Sequence, residues 1–169
     1  YYLTAGRWFS AGRLDGPWTF ATPNLPADFT QIPPSSPAAQ VLASVPGTEE
    51  AKDAVLLAQV PTTVVVNPTA AAAEAKVTYS GSPQFSPIDG TSMSYATNTV
   101  QKVIKVGDLY YLCLQGLWFV STSPEGPWQT AQSVPQVIYT IPPSSPVYNV
   151  TYVTQTTTSD GYVQSSYTA

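Results

Sequence analysis

At 169 residues the chain is long enough to bury a core in one domain or in two small packed lobes. Only 9 % of its residues are charged, against roughly 25 % in ordinary globular domains, while 43 % are hydrophobic and 17 are prolines; Ser, Thr and Tyr fill the gap, which suits an exposed extracellular or cell-surface β protein. A net charge of −4 with six scattered cations argues against nucleic acid as a partner, and the absence of histidine removes Ser-His-Asp and Cys-His chemistry and nearly all zinc enzymes.

Residues 1–45 read as a small antiparallel meander entered at its second strand. Tyr1-Tyr2-Leu3-Thr4 is a strand, Gly6-Arg7-Trp8-Phe9 turns into the next, and Gly16-Pro17-Trp18 starts another after a turn. A connecting region, 46–98, follows. It opens on a helix at about 48–58, with Thr48 as N-cap and Glu49 and Glu50 at the positive end of the helix dipole. Ala51, Ala54, Val55 and Ala58 give this helix an apolar stripe to pack against a sheet, and Val60-Pro61 ends it. A strand is expected at 62–66, and the alanine-rich stretch 68–75 fits a short helix or a surface loop. Residues 77–81 and 93–97 read as strands separated by Pro83, Pro87 and the turn Asp89-Gly90.

A complete meander follows over 99–146. Residues 100–106 form a β-branched strand, Gly107-Asp108 is a two-residue hairpin signal, and 109–114 is the return strand. Gln115-Gly116 turns the chain into a third strand at 117–121. Pro and Gly chemistry at 123–126 makes another turn before a short fourth strand at 127–130. The tail, 147–169, is rich in Thr and Ser, with a strong strand signal over 147–154 and a further strand at 162–167. The expected fold is therefore mainly β: two related antiparallel meander units, a short helix and a C-terminal strand-forming tail.

The two meanders are related because the chain repeats itself. Tyr1-Tyr2-Leu3, Gly6-Arg7-Trp8-Phe9, Gly16-Pro17-Trp18 and Ile32-Pro33-Pro34-Ser35-Ser36-Pro37 recur as Tyr110-Tyr111-Leu112, Gly116-Leu117-Trp118-Phe119, Gly126-Pro127-Trp128 and Ile141-Pro142-Pro143-Ser144-Ser145-Pro146. Single-residue slips are required before Trp118 and before Ile141. All four tryptophans lie inside the repeat, which marks a duplicated supersecondary unit.

Trp8, Trp18, Trp118, Trp128, Tyr2 and Tyr111 are the candidates for glycan stacking or for an interface, because indole and phenol rings bury the apolar faces of sugars. The competing role is to fill the core of a thin β unit. In Leu117-Trp118-Phe119, neighbouring side chains point to opposite faces of a strand, so one aromatic of each Trp-Phe pair is expected outside. The Pro-Pro-Ser-Ser-Pro segments suit a polyproline II ligand or a rigid linker. Asp15 and Glu125 hold neighbouring positions of one turn in the two copies, where short acids serve local backbone geometry. No catalytic residue, metal site or cofactor is expected. Cys113 is the single cysteine, in an apolar run where it acts as a small hydrophobe.

Gly-x-Trp-Phe followed by Gly-Pro-Trp, together with Tyr79-Ser80-Gly81-Ser82-Pro83-Gln84-Phe85 and Ile88-Asp89-Gly90-Thr91, resembles a group of exported bacterial proteins described as carbohydrate-binding family V/XII. The stretch Val106-Gly107-Asp108-Leu109-Tyr110-Tyr111 through Trp118 is similar to small chitin-binding modules, whose Tyr and Trp form a sugar platform. The resemblance implies an exported, β-rich protein and adds weight to polysaccharide as a ligand.

The functional expectation is a non-enzymatic, secreted or cell-surface structural protein that associates with copies of itself in a filament or oligomer, with no membrane span. With no hairpin arm ahead of it, the segment Tyr1, Tyr2, Leu3, Thr4 is expected to be an open edge. Val147, Tyr148, Val150 and Tyr152 are expected to lie on a spare strand that adds to such an edge. The alternative is a carbohydrate-binding module for a chitin-like glycan.

Overall fold

The computed structural model describes residues 1–58 and 61–167, including every side chain among them except those of Leu57 and Ala58. The chain is mainly β with antiparallel sheets, and it divides into two compact units, Tyr1–Val60 and Pro61–Ala169.

In the first unit, β1 (Tyr2–Thr4), β2 (Arg7–Ser10) and β3 (Thr19–Phe20) form a sheet in that order. The β1–β2 turn is Ala5-Gly6, both at positive φ (+49° and +72°), the geometry that matches strand twist in a two-residue hairpin. The chain then takes 3₁₀ turns at Thr22–Asn24, Ala27–Gln31 and Ala39–Ser44 before helix α1 (Glu49–Ala58). Thr48 caps α1 as expected: its Oγ1 accepts from Ala51 N at 3.1 Å and donates to the carbonyls of Leu42 and Val45. Trp8, Ala21 and Val45 are buried together, with Leu3, Phe29 and Val41 against them.

The second unit opens with β4 (Thr62–Val66) and helix α2 (Pro68–Glu74). Pro68 begins α2 and the Asn67 side chain accepts from Ala70 N, so the alanine-rich stretch has both start signals of a helix. Strands β5 (Phe85–Pro87), β6 (Ser94–Ala96), β7 (Lys102–Val106), β8 (Leu109–Leu114), β9 (Leu117–Ser121) and β10 (Gln129–Thr130) follow. They form one sheet, ordered β10-β9-β8-β7-β6-β5. After 3₁₀ turns at Gln136–Thr140 and Tyr148–Tyr152, the hairpin β11 (Val153–Thr157) and β12 (Val163–Tyr167) makes a second sheet ordered β11-β12-β4.

The structure changes several expectations. Residues 148–152 are a 3₁₀ turn, so the expected strand over 147–154 begins only at Val153. The cause is local. Val147, Val150 and Val153 are spaced three apart, and one side of a 3₁₀ turn buries all three, whereas a strand would send Val150 to the opposite face. The Pro-Pro-Ser-Ser-Pro segments are β-turns rather than polyproline II. Ser36 N bonds Pro33 O and Ser145 N bonds Pro142 O, each at 2.9 Å, with proline at the favoured second position. Residues 77–81 join no ladder; they lie over a sheet face. β5 was not expected, and it carries Pro87 on the outer strand of its sheet, where a missing N–H is tolerated. Helix α1 packs on the 3₁₀ turn Ala39–Ser44 instead of a sheet, and Val55 of its stripe is 58 % exposed. The side chain of Ala58 and the stop signal at Val60 lie outside the described residues.

The hairpin turns also correct the repeat register. Ala5-Gly6 and Gln115-Gly116 share positive φ at both positions, and Leu3 pairs with Trp8 as Cys113 pairs with Trp118. Tyr2 therefore corresponds to Leu112 and Tyr1 to Tyr111, and the Tyr-Tyr-Leu triplets are offset by one residue. A one-residue shift in a strand reverses its faces, so like letters play unlike roles.

Candidate interaction surface

Trp8 and Trp118 do the same work in their units. Each indole is buried and donates to a main-chain carbonyl at the end of a 3₁₀ turn: Trp8 Nε1 to O of Ser44, the last residue of its turn, at 2.7 Å, and Trp118 Nε1 to O of Val153, just past its turn, at 2.9 Å. The main-chain oxygen of each tryptophan accepts the amide just past the next strand, Ala21 N onto Trp8 O and Ala131 N onto Trp118 O. Gly-Pro-Trp is likewise a packing device. Both Gly16-Pro17 and Gly126-Pro127 are cis, and a Cβ on Gly126 would sit 2.8 Å from Cδ1 of Trp128.

Of the six aromatic candidates, Trp8, Trp118, Trp128 and Tyr111 are buried. Only Tyr2 (55 % exposed) and Trp18 (40 %) face solvent, their ring centroids 5.7 Å apart and their planes tilted by 52°. The Trp-Phe alternation rule fails in the second unit because the sheet is covered on both faces. Trp118 lies among Ile88, Ile104, Ile138 and Val150, while Phe119 lies with Val103, Leu112 and Trp128 on the other side.

That second face is closed by the chain between β4 and β5. Ala71 of α2, Val77 and Tyr79 pack onto it, beside Phe85 of β5; Thr130 Oγ1 donates to Pro68 O at 2.6 Å and the Tyr79 hydroxyl donates to Pro124 O at 2.7 Å. In the first unit the corresponding face carries Tyr2, Phe9 and Phe20 across the three strands, with Trp18 beside Tyr2. Leu14, in the loop leading to Trp18, is 96 % exposed. This aromatic face forms the candidate surface. A separate apolar groove runs past Gly6, Thr22, Ser44, Pro46, Ala51 and Val55.

The assembly residues are distributed differently from the expectation. β1 is the outer strand of its sheet, with Tyr2 on one face and Leu3 turned into the core; Tyr1 stacks edge-on against Phe29. Val147 and Val150 are buried in the second unit's core, Tyr148 packs against that core, and Tyr148 and Tyr152 stack on each other. None of these four lies on a strand. The tail strands pair inside the chain as well: β12 pairs with both β11 and β4, and β11 is the other outer strand of that sheet. A different edge emerges at β4, an outer strand of its sheet, where Thr62, Thr63, Val64 and Val65 are all exposed. Sequence reasoning identified this strand but not its edge position, which depends on pairing with residues about a hundred positions away.

Asp15 is engaged by Arg13 across an exposed loop at 3.2 Å, a local turn contact. Burial pushes the Cys113 thiol up to about 12 from 9.0. Burial, with the nearby Glu125 charge, moves the Tyr79 hydroxyl to about 12 from 10.0. Both groups hold their protons more tightly folded than unfolded. Their contribution is therefore complete below about pH 9 and is lost as pH rises toward 12. The melting temperature should hold steady to pH 9 and fall between pH 10 and 12. Native Cys113 should resist a thiol reagent at pH 8 and react fully in denaturant; rapid native labelling would contradict its burial.

Among the described residues no helix is long and apolar enough to cross a membrane. The chain matches no protein-family model, no curated protein and no solved structure.

Proposed function

We propose that this chain is a non-enzymatic structural protein of the cell exterior or surface, which associates with copies of itself by strand addition. The observation that carries the reading is the edge of β4. Natural proteins blunt exposed edges with charge, proline or bulges. β4 instead presents Thr62-Thr63-Val64-Val65-Val66, five uncharged β-branched residues on the outside of a sheet, with proline only beyond its two ends at Pro61 and Pro68. Addition of the β4 edge of one copy to an unlike edge of the next is head-to-tail, and it grows into a filament where it does not close. The low charge and the resemblance to exported bacterial proteins support the exterior setting.

Sedimentation over a range of concentrations should show mass rising with concentration. The double variant Val64→Lys/Val65→Lys, which charges both faces of β4, should stay monomeric with an unchanged far-UV spectrum. A wild-type chain that remains monomeric to about 1 mM would end this reading.

A glycan-binding function rests on Tyr2 and Trp18, the exposed pair among the aromatic candidates. Their tilted planes suit a flat sugar ring less well than coplanar rings would. Retention on insoluble chitin, abolished by Trp18→Ala, would favour it.

A further inference from the structure

The internal repeat supplies a comparison that neither unit offers alone. At a constant offset of 110, Tyr2, Phe9, Leu14, Trp18 and Phe20 stand where the second unit has Leu112, Phe119, Pro124, Trp128 and Thr130. The second set is covered by residues 68–85: α2 lies over the sheet, and the extended run through Val77 and Tyr79 lies over Trp128 and the loop before it. Under that cover Leu112, Phe119 and Trp128 are at most 6 % exposed. The first unit keeps the same apolar frame, enriched in aromatics, yet Leu14 is 96 % and Tyr2 55 % exposed.

We infer that the outer face of the first unit, Tyr2, Phe9, Leu14, Trp18 and Phe20, is a docking surface for a polypeptide that presents a small-residue helix followed by an extended, tyrosine-bearing segment, the chemistry of residues 68–85. Small side chains on the helix let it approach a flat aromatic sheet closely, as Ala71 and Ala75 do in the second unit. The tyrosine hydroxyl has an equivalent acceptor in the main-chain carbonyl of Leu14, which any residue at that position would supply. Thr130, which tethers Pro68, is replaced by Phe20, so docking on the first unit leans further on apolar contact.

A fluorescent peptide of residues 66–87, titrated into the full chain, tests this directly. Binding should saturate below about 1 mM and shift tryptophan emission to the blue, because Trp18 alone among the four tryptophans has an exposed ring to bury. The full-chain variant Tyr2→Ser/Trp18→Ser should bind about tenfold more weakly with an unchanged far-UV spectrum. A peptide carrying Tyr79→Phe should also bind more weakly to the wild-type chain. Undiminished binding to the Tyr2→Ser/Trp18→Ser variant would place the peptide on the second unit by exchange and overturn the inference. So would absence of saturable binding, or retention on chitin that depends on Trp18 without any peptide binding. Self-association is read separately through Val64→Lys/Val65→Lys, which leaves this face intact.

Discussion

Replacing Trp118 with alanine should destabilise the chain by about 4 kcal/mol or more, a large part of the 5–15 kcal/mol that holds a typical domain together. The indole is fully buried, between β8 and β9 on one side and the 3₁₀ turn and β11 on the other. Emptying that volume leaves a cavity that two layers must collapse into at once. The Trp118→Phe variant separates packing from hydrogen bonding. It removes the donor to Val153 O, but the Tyr139 hydroxyl still donates to that carbonyl at 2.8 Å, so the acceptor is not orphaned. Its cost should be smaller, about 1–2 kcal/mol. Trp18→Ala, at an exposed site, should cost less than about 1 kcal/mol in the monomer. Urea denaturation followed by far-UV circular dichroism measures all three, and equal losses at Trp18 and Trp118 would contradict the burial pattern.

These three tryptophan variants also mark what the sequence could convey. The strands around Trp118 were legible because their signals are local. Gly107-Asp108 and Gln115-Gly116 are turn chemistry, and 117–121 is β-branched and aromatic. Thr48 was legible as a cap for the same reason. Three features were hidden. One is the face each aromatic occupies, because a strand's alternation does not reveal whether one face or both are covered. Phe119 is buried only because residues 68–85 return over it, and nothing near Phe119 announces that. Another is the 3₁₀ turn at Tyr148–Tyr152. Its β-branched and aromatic letters favour a strand, and the decision goes to tertiary burial of Val147 and Val150. The last is register. Matching the Tyr-Tyr-Leu triplets by letter placed Tyr2 against Tyr111, whereas the hairpin turns place Tyr2 against Leu112. Turn geometry fixes register, and letters do not.

The candidate surface follows from the same lesson. The sheets around Trp8 and Trp118 share a hairpin turn and an indole–carbonyl bond, but the face carrying Phe119 is covered while Tyr2 and Trp18 are exposed, so function is to be sought at the uncovered face. The aromatic repeat by itself pointed at all four tryptophans, and burial removes three of them. The tail does not supply the spare strand that was expected, because β12 pairs with both β11 and β4 inside the chain, and β4 is an exposed outer strand of that sheet.

Gln155→Leu should cost about 2–5 kcal/mol although it keeps nearly the same volume and makes the side chain apolar. Gln155 is 5 % exposed in a tail whose Thr, Ser and Gln letters suggest a wet surface. Its amide behaves like a peptide group of an added strand. Oε1 accepts from Trp118 N at 2.8 Å, and Nε2 donates to Trp118 O at 2.8 Å and Ala131 O at 2.6 Å. Leucine would leave Trp118 N–H and Ala131 C=O buried without this partner, while Trp118 O would keep the Ala131 amide. Gln155→Glu is the sharper probe. An ionised carboxylate still accepts from Trp118 N but faces two carbonyl oxygens, and only the protonated acid can donate to one of them. Its folded pKa must therefore rise above the ordinary value of about 4.3, so this variant should be most stable at low pH and lose stability as pH climbs through the raised value. A Gln155→Glu variant whose stability does not change between pH 4 and 7 would show that the amide is not clamped between these groups. The first unit needs no such clamp. Thr22 Oγ1 accepts from Trp8 N at 2.8 Å, and Pro46, two residues beyond Ser44 as Gln155 is beyond Val153, leads the chain away toward α1. One pattern thus closes in two ways, by a neighbouring hydroxyl in the first copy and by a strand-borne amide in the second, and the second closure brings the β11–β12 hairpin and the edge of β4 with it.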